Sequence, residues 1–89
     1  MRSYEIIPSL QKILNKLSKR DRTLYEQVLK KIEEVLTTVD VEHYKNLRYD
    51  LKDKKRVHIG HFVLVFSYVK ERDKIVFIEF NHHDGIYLE

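Results

Sequence analysis

The sequence has no cysteine, a single proline, only two glycines and no long apolar run. Without cysteine, disulfides and thiolate zinc sites are excluded. No segment approaches the roughly 18 apolar residues of a membrane span, and the N-terminal MRSYEIIPSL lacks the apolar core of a signal peptide. Gly60 and Gly85 are too few for a phosphate-cradling loop, which disfavours a nucleotide-dependent enzyme. We therefore expect a soluble, cytoplasmic protein without membrane association.

The length and charge of the chain narrow the possibilities further. With 89 residues it has the size of one domain, spanning residues 1–89. A chain this short buries only roughly 60–65% of the surface that its unfolded form exposes, so we expect marginal stability unless a partner binds. The net charge of +3 permits a nucleic-acid partner without demanding one.

The apolar pattern predicts helices first and strands afterwards. A β-prone run over residues 3–7 ends at Pro8, and apolar residues at helical spacing predict helices over residues 8–17 and 19–37. Ser18 and Asp21 have the spacing of a capping box for the second helix. Strands are predicted over residues 56–59, 62–69 and 74–80, after an irregular stretch over residues 40–54. The order β-α-α-β-β-β predicts an α+β fold, with a helical hairpin on one face of a small, mainly antiparallel, four-stranded sheet.

A basic stretch leads into the predicted sheet. Tyr44 and Tyr49 are interleaved with its positive charges, and aromatic rings can stack on unpaired bases while cations contact phosphates. A solvated connection and a nucleic-acid contact are both compatible with this composition. The candidate phosphate-binding residues are Lys45, Arg48, Lys52, Lys54 and Lys55.

Four of the five histidines lie at the edges of the predicted sheet. Period two places His58 beside Arg56 on one strand face, and His82, His83 and Asp84 directly follow the last strand. His43 and His61 are expected to be turn residues. His58 is either a solvent-facing strand residue or a general acid or base beside an arginine that binds phosphate.

This residue set suits cleavage of RNA by its own 2′-hydroxyl. That reaction needs a base, an acid and cations that stabilise the phosphorane, and two histidines with arginine or lysine supply all three without a metal. Consecutive histidines point apart in an extended chain, and no H-x-x-x-H or H-E-x-x-H motif is present, so no metal site is expected.

The last third of the chain resembles the RelE/ParE superfamily of toxin–antitoxin toxins. The strand Arg56-Val57-His58-Ile59-Gly60 is similar to the family's R-x-[RH]-x-G, the next run is similar to its apolar second strand, and the ending NHHDGIY is similar to G-H-x-x-x-[IV]-Y. Many members carry an arginine where this chain has Val63. A C-terminal helix, common in the family, is not expected here.

The resemblance implies a cytoplasmic endoribonuclease toxin that cuts ribosome-bound mRNA and forms a hetero-oligomer with a cognate antitoxin. His58 and His83 match the catalytic histidines of the YafQ-like branch, Arg56 the basic residue at the strand start, and Tyr87 the terminal aromatic. His82 or Asp84 would orient a catalytic histidine. The alternative is a ParE-like gyrase inhibitor, or an inactive member that only binds its antitoxin.

Overall fold

The computed structural model describes residues 1–48 and 51–87, with backbone alone at Arg48, residues 51–53 and Tyr87. Short 3₁₀ turns lie at Val41–His43 and Lys70–Arg72. None of the helices in this part of the chain is long and apolar enough to cross a membrane. The regular elements are β1 (Ser3–Ile6), α1 (Pro8–Arg20), α2 (Arg22–Thr37), β2 (Asn46–Arg48), β3 (Leu51–Ile59), β4 (Phe62–Val69), β5 (Lys74–His82) and α3 (His83–Tyr87).

The strands form one sheet in the order β1-β5-β4-β3-β2, antiparallel except for the β1–β5 pair. The α+β class is confirmed, but the expected number of strands was wrong, because the described strands number five. The extra strand β2 is three residues long and lies in the stretch predicted to be irregular, where it pairs Asn46 with Lys55. With one apolar residue among three, this edge strand is too short for its alternation to be recognised in the sequence.

The helical hairpin forms as predicted, but its junction lies three residues later. Helix α1 continues to Arg20, and α2 begins only at Arg22. The capping box was wrong, because Ser18 Oγ donates to the Asn15 carbonyl inside α1. The N-cap is Asp21, whose carboxylate accepts from the Leu24 amide at 3.1 Å.

The helices cover one face of the sheet and build the main core there. Leu10 and Val28 of the helices and Leu64, Phe66 and Phe77 of the sheet are all fully buried in this core. Helix α1 packs against β5, and α2 packs against β3. Burial of this kind, at about 1.5–3 kcal/mol for each large apolar side chain, is the main stabilising contribution to the fold.

A β-bulge in β5 sets which residues point away from the helices. Phe77 pairs with Phe66, whereas Glu79 already pairs with Val65, so Ile78 is the extra residue. Phe77 and Phe80 can therefore both enter the helix-side core, although they are three positions apart. Beyond the bulge, Asn81 pairs with Val63 on the opposite face, which we call the open face.

The open face carries a smaller apolar cluster and the short helix α3. Val63, Val65 and Ile86 are buried together, and Leu47 packs against them. The ending motif, for which no helix was predicted, forms α3. Ile86 anchors that helix across β4, which brings its first residue toward β3.

Candidate active site

Strand β3 presents one row of basic side chains on the open face. Its pairing with β4 places Arg56 opposite Val65 and His58 opposite Val63. Val57 and Ile59 point the other way and belong to the main core. The predicted alternation of this strand is therefore confirmed.

Helix α3 brings His83 to His58. The two imidazole rings are stacked with centroids 5.8 Å apart and planes inclined by 26°. The His83 amide donates to the His61 carbonyl at 2.8 Å, which fixes the start of α3 against the β3–β4 turn. Because β4 lies between β3 and β5, the approach depends on α3 crossing the sheet rather than on adjacent strands.

Gly85 allows α3 to lie this close to the sheet. A Cβ atom at this position would stand 2.6 Å from Asn81 Nδ2 and 2.9 Å from Asn81 Cγ. The Asn81 side chain is also held in place, since its Oδ1 accepts from the His82 amide at 2.7 Å. The small residue in the ending motif is therefore a packing requirement of the helix that carries His83.

Positive charge surrounds His58. Arg56 Nη1 lies 3.5 Å from His58 Nδ1. The Arg56 side chain is itself positioned by the edge strand, because its Nε donates to the Asn46 carbonyl at 3.2 Å. Desolvation lowers the pKa of His58 below its usual value, and the charges of Arg56, His83 and Lys45 lower it further. A neutral imidazole beside a guanidinium can accept a proton near a bound anion.

The Asp84 carboxylate lies near the rings of both His82 and His83. Its Oδ1 is 3.6 Å from His83 Nδ1 and its Oδ2 is 3.8 Å from His82 Nδ1. The Asp84 amide also donates to His82 Nδ1 at 3.3 Å. The carboxylate therefore lies close to both imidazole rings.

His61 and His82 form a second pair at the same end of the sheet. Their ring centroids are 6.2 Å apart, with planes inclined by 20°. The His82 ring also stands edge-on to Phe62 at 5.5 Å. Within the described residues, no group of three or more histidine, cysteine or acidic side chains is arranged to hold a metal.

The predicted phosphate-binding residues divide between the two faces. Lys54 shares the open face with Arg56, and Lys45 is exposed near His58. Lys55 is buried on the helix side, where its Nζ donates to the Tyr44 carbonyl at 3.2 Å and to Asn46 Oδ1 at 3.3 Å, so the phosphate-binding role predicted for it was wrong. The side chains of Arg48, Lys52 and Tyr87 lie outside the described residues.

Tyr44 is not available as a stacking platform for bases. Its ring is buried edge-on to Phe66, and its hydroxyl donates to Glu34 Oε2 at 2.6 Å. Burial and this hydrogen bond raise the pKa of the Tyr44 phenol. Tyr49, the other predicted platform, lies outside the described residues.

Sequence reasoning missed one feature beside His58. An open groove of about 470 Å³ runs between α2 and the end of β3, and His58, Ile59 and Gly60 line one side of it. The other side is the polar face of α2. The spacing of those α2 residues could have shown that they share a face, but not that the face meets His58. They are Gln27, Lys30, Lys31 and Glu34.

Comparisons with known proteins give the same superfamily as the ending motif. A protein of Methanocaldococcus jannaschii named "Putative toxin RelE4" is 52% identical over 88 residues, which covers 98% of this chain and 92% of that protein. A protein of Methanosarcina mazei without an assigned function is 38% identical over 93% of this chain and 95% of its own length. No family model matches the chain.

Solved structures share the fold at low identity. The E. coli RelBE toxin–antitoxin complex contains a chain with a TM-score of 0.75 and 21% identity, covering 92% of this chain and 96% of that one. A metal-bound toxin from Helicobacter pylori also has a TM-score of 0.75, at 22% identity over 98% of this chain and all of that one.

The fold, the ending motif and these relatives define a class, the toxins with the RelE fold. At 52% identity over nearly its whole length to a RelE relative, the chain belongs to the RelE-like toxin superfamily, as its last third predicted.

Proposed function

We propose that this toxin is an endoribonuclease whose acid–base pair is His58 and His83. The observation that supports this most directly is the 5.8 Å stacking of the two rings beside Arg56. Two imidazoles at this separation can both reach the atoms around one phosphate, since a phosphodiester places its attacking and leaving oxygens on opposite sides of phosphorus. The E. coli RelBE toxin–antitoxin complex contains a chain with the same fold. The cleavage reaction is proposed from the residues of the site.

His58 is the base in this proposal. Its lowered pKa keeps the ring neutral near pH 7, so it can accept the proton of the ribose 2′-hydroxyl. The 2′-oxygen attacks phosphorus, the bond from phosphorus to the 5′-oxygen breaks, and the products are a 2′,3′-cyclic phosphate and a free 5′-hydroxyl. The proton ends on His58 Nε2 or Nδ1, whichever faces the substrate.

His83 is the acid, and Arg56 stabilises the phosphorane. His83 gives its proton to the departing 5′-oxygen, and the Asp84 carboxylate at 3.6 Å orients its ring for that transfer. The guanidinium of Arg56, fixed by the Asn46 carbonyl, is placed to bind the non-bridging oxygens, on which negative charge grows. Lys45 and Lys54 add positive charge for neighbouring phosphates, and Tyr87 is the proposed substrate-orienting residue.

The proposed substrate is mRNA on the ribosome, and the proposed regulator is a cognate antitoxin. A neighbour of the same fold was solved with an antitoxin peptide. Partly exposed Ile13 on α1 and Leu29 on α2 offer apolar contacts on the helical hairpin for such a protein. Burial of this surface would add stability to a small domain.

The test is an in vitro translation system programmed with one mRNA. The wild-type protein should cut the mRNA only when ribosomes are present, and the upstream fragment should carry a 2′,3′-cyclic phosphate. Addition of the antitoxin should stop the cutting. Uncut mRNA together with trapped DNA gyrase cleavage complexes would instead support the gyrase-inhibitor alternative.

A further inference from the structure

The groove between α2 and the β3–β4 turn shares His58 with the proposed catalytic site. His58 lines the groove at the edge of β3, and its ring stacks on His83 on the open face, so this edge connects the two sites. Its volume of about 470 Å³ is within the range of small-ligand sites. We infer that the groove binds the nucleotide next to the scissile phosphate, with Lys30 and Lys31 of α2 contacting its phosphate. The inference rests on the proposed function.

The charges that line the groove favour a phosphate. Lys30 is exposed, and Lys31 is half-buried on the same side of α2. Among the described lining residues, the carboxylate is that of Glu34, which is already engaged, since it accepts from Tyr44 at 2.6 Å and pairs with Lys31 Nζ at 3.2 Å. Its interaction with Lys31 also restrains the lysine, while Lys30 extends the cationic surface toward solvent.

The backbone of β3 adds a donor on the other side. The Arg56 amide donates to the Lys45 carbonyl at 2.9 Å, so the even-numbered amides of β3 point away from β4. By this alternation the His58 N–H points toward the sheet edge that borders the groove. The register of β2 with β3 reaches from Leu51 to Lys55, so β2 does not cover the edge at His58. A phosphate oxygen can bind there between a backbone amide and the α2 lysines.

The groove also offers a place for a base. Gly60 and Ile59 form a small, partly apolar wall opposite the helix, and Gln27 supplies an amide that can both donate and accept. Cations along one wall of an open groove can follow the phosphates of a single strand without reading its sequence.

The experiment measures binding of two single strands to the whole protein by NMR titration. The probes are a hexanucleotide and a dinucleotide with 2′-deoxy sugars, which lack the nucleophile and cannot be cut. The Lys30→Gln/Lys31→Gln variant is compared with Lys12→Gln/Lys16→Gln, which removes two exposed lysines from α1. The dinucleotide occupies only the catalytic site, whereas the hexanucleotide must also enter the groove.

The α2 variant should bind the hexanucleotide about tenfold more weakly than the wild type, as the loss of two exposed ionic contacts implies. Its slope of log K against log salt should fall by about 1.4, while dinucleotide binding stays unchanged. Equal hexanucleotide affinity in the α2 and α1 variants would overturn the inference, as would a wild-type titration that leaves the Gly60 and Lys30 amides unshifted.

Cleavage assays separate this inference from the proposed function. If the hexanucleotide occupies the groove but His58→Ala and His83→Ala still cut mRNA normally, the proposed function fails while the groove assignment survives. If those variants are inactive and the α2 variant binds and cuts like the α1 control, the groove assignment fails alone.

Discussion

The two histidine pairs at one end of the sheet are similar in geometry and different in surroundings. The His58–His83 rings are 5.8 Å apart and the His61–His82 rings are 6.2 Å apart, both nearly parallel. Arg56 lies against the first pair, and the second pair contacts the Phe62 ring. The nearby guanidinium and the lowered pKa of His58 distinguish the first pair.

The pairs also differ in what holds them. His61 and His82 lie on the β3–β4 turn and at the end of β5, which the sheet itself brings together. His83 reaches His58 only because α3 crosses β4 and anchors Ile86 in the small cluster. The first pair is thus more sensitive than the second to the docking of α3, although the His83 amide and the Asp84 amide also contact His61 and His82.

The largest expected effect comes from removing one ring of the first pair. His58→Ala and His83→Ala should each lower the rate of mRNA cleavage by about 10²–10⁴-fold, the usual contribution of a general acid or base. His61→Ala is the matched control, because it removes a stacked imidazole of the second pair, and its rate should stay within about threefold. Circular dichroism and thermal unfolding check that all three variants are folded. A loss in His61→Ala as large as in His58→Ala would remove the distinction between the pairs.

Removal of the guanidinium should have the next largest effect. Arg56→Gln should reduce cleavage by roughly 10²–10³-fold, as expected for one donor to a developing oxyanion. Arg72→Gln removes the same charge from the exposed β4–β5 turn and should cut like the wild type. Single-turnover rates at saturating ribosome concentration measure this loss. Equal rates for the two variants would show that Arg56 does not contact the reacting phosphate.

A substitution at Gly85 should break the first pair and leave the second intact. Gly85→Ala places a Cβ against Asn81 and should lift α3, lowering cleavage by about 10²-fold, the cost of a misplacement near 1 Å. Ring-to-ring NOEs should be lost between His58 and His83 and kept between His61 and His82. Adding Asn81→Ala removes the obstructing side chain and should restore part of the rate. An active Gly85→Ala, or a double variant no better than the single, would contradict this role.

The smallest effect concerns the pKa of His58. Arg56→Gln should raise it toward the usual 6.5, because a nearby cation is one of the causes that lower it. The acid limb of the rate profile should then move to higher pH. NMR titration of the His58 ring protons measures the shift, with Arg72→Gln as a control that should leave it in place. A lower His58 pKa in Arg56→Gln would contradict the electrostatic account.

The sequence predicted the parts of the fold that burial dictates. The apolar run of β4 and the apolar stripe of α2 must both be buried, and each can be buried in only one way. Strand β4 has the predicted bounds, and α2 ends where predicted but begins three residues later. The bulge at Ile78 could not be predicted, since strict alternation would place Asn81 on the same face as Phe77. The edge strand β2 was missed because it is only three residues long, with a single apolar residue, Leu47.

In the candidate site, too, the sequence predicts some features and misses others. His58 and Arg56 could be assigned to one face because period two is a local property of β3. The approach of His83 depends on α3 crossing the sheet, which no local pattern predicts. Lys55 was assigned to phosphate binding from composition, but alternation places its side chain on the helix side of β3, where it is buried and donates to the Tyr44 carbonyl and the Asn46 side chain.

The assignment of His58 as base and His83 as acid can be tested with a substrate whose leaving group needs no proton. An RNA with sulfur in place of the bridging 5′-oxygen at the cleaved bond expels a thiolate, so an acid is unnecessary for it. His83→Ala should cut this substrate at close to the wild-type rate, whereas His58→Ala should remain defective, because the 2′-hydroxyl still requires a base. Equal defects in both variants, or rescue of His58→Ala alone, would contradict the account.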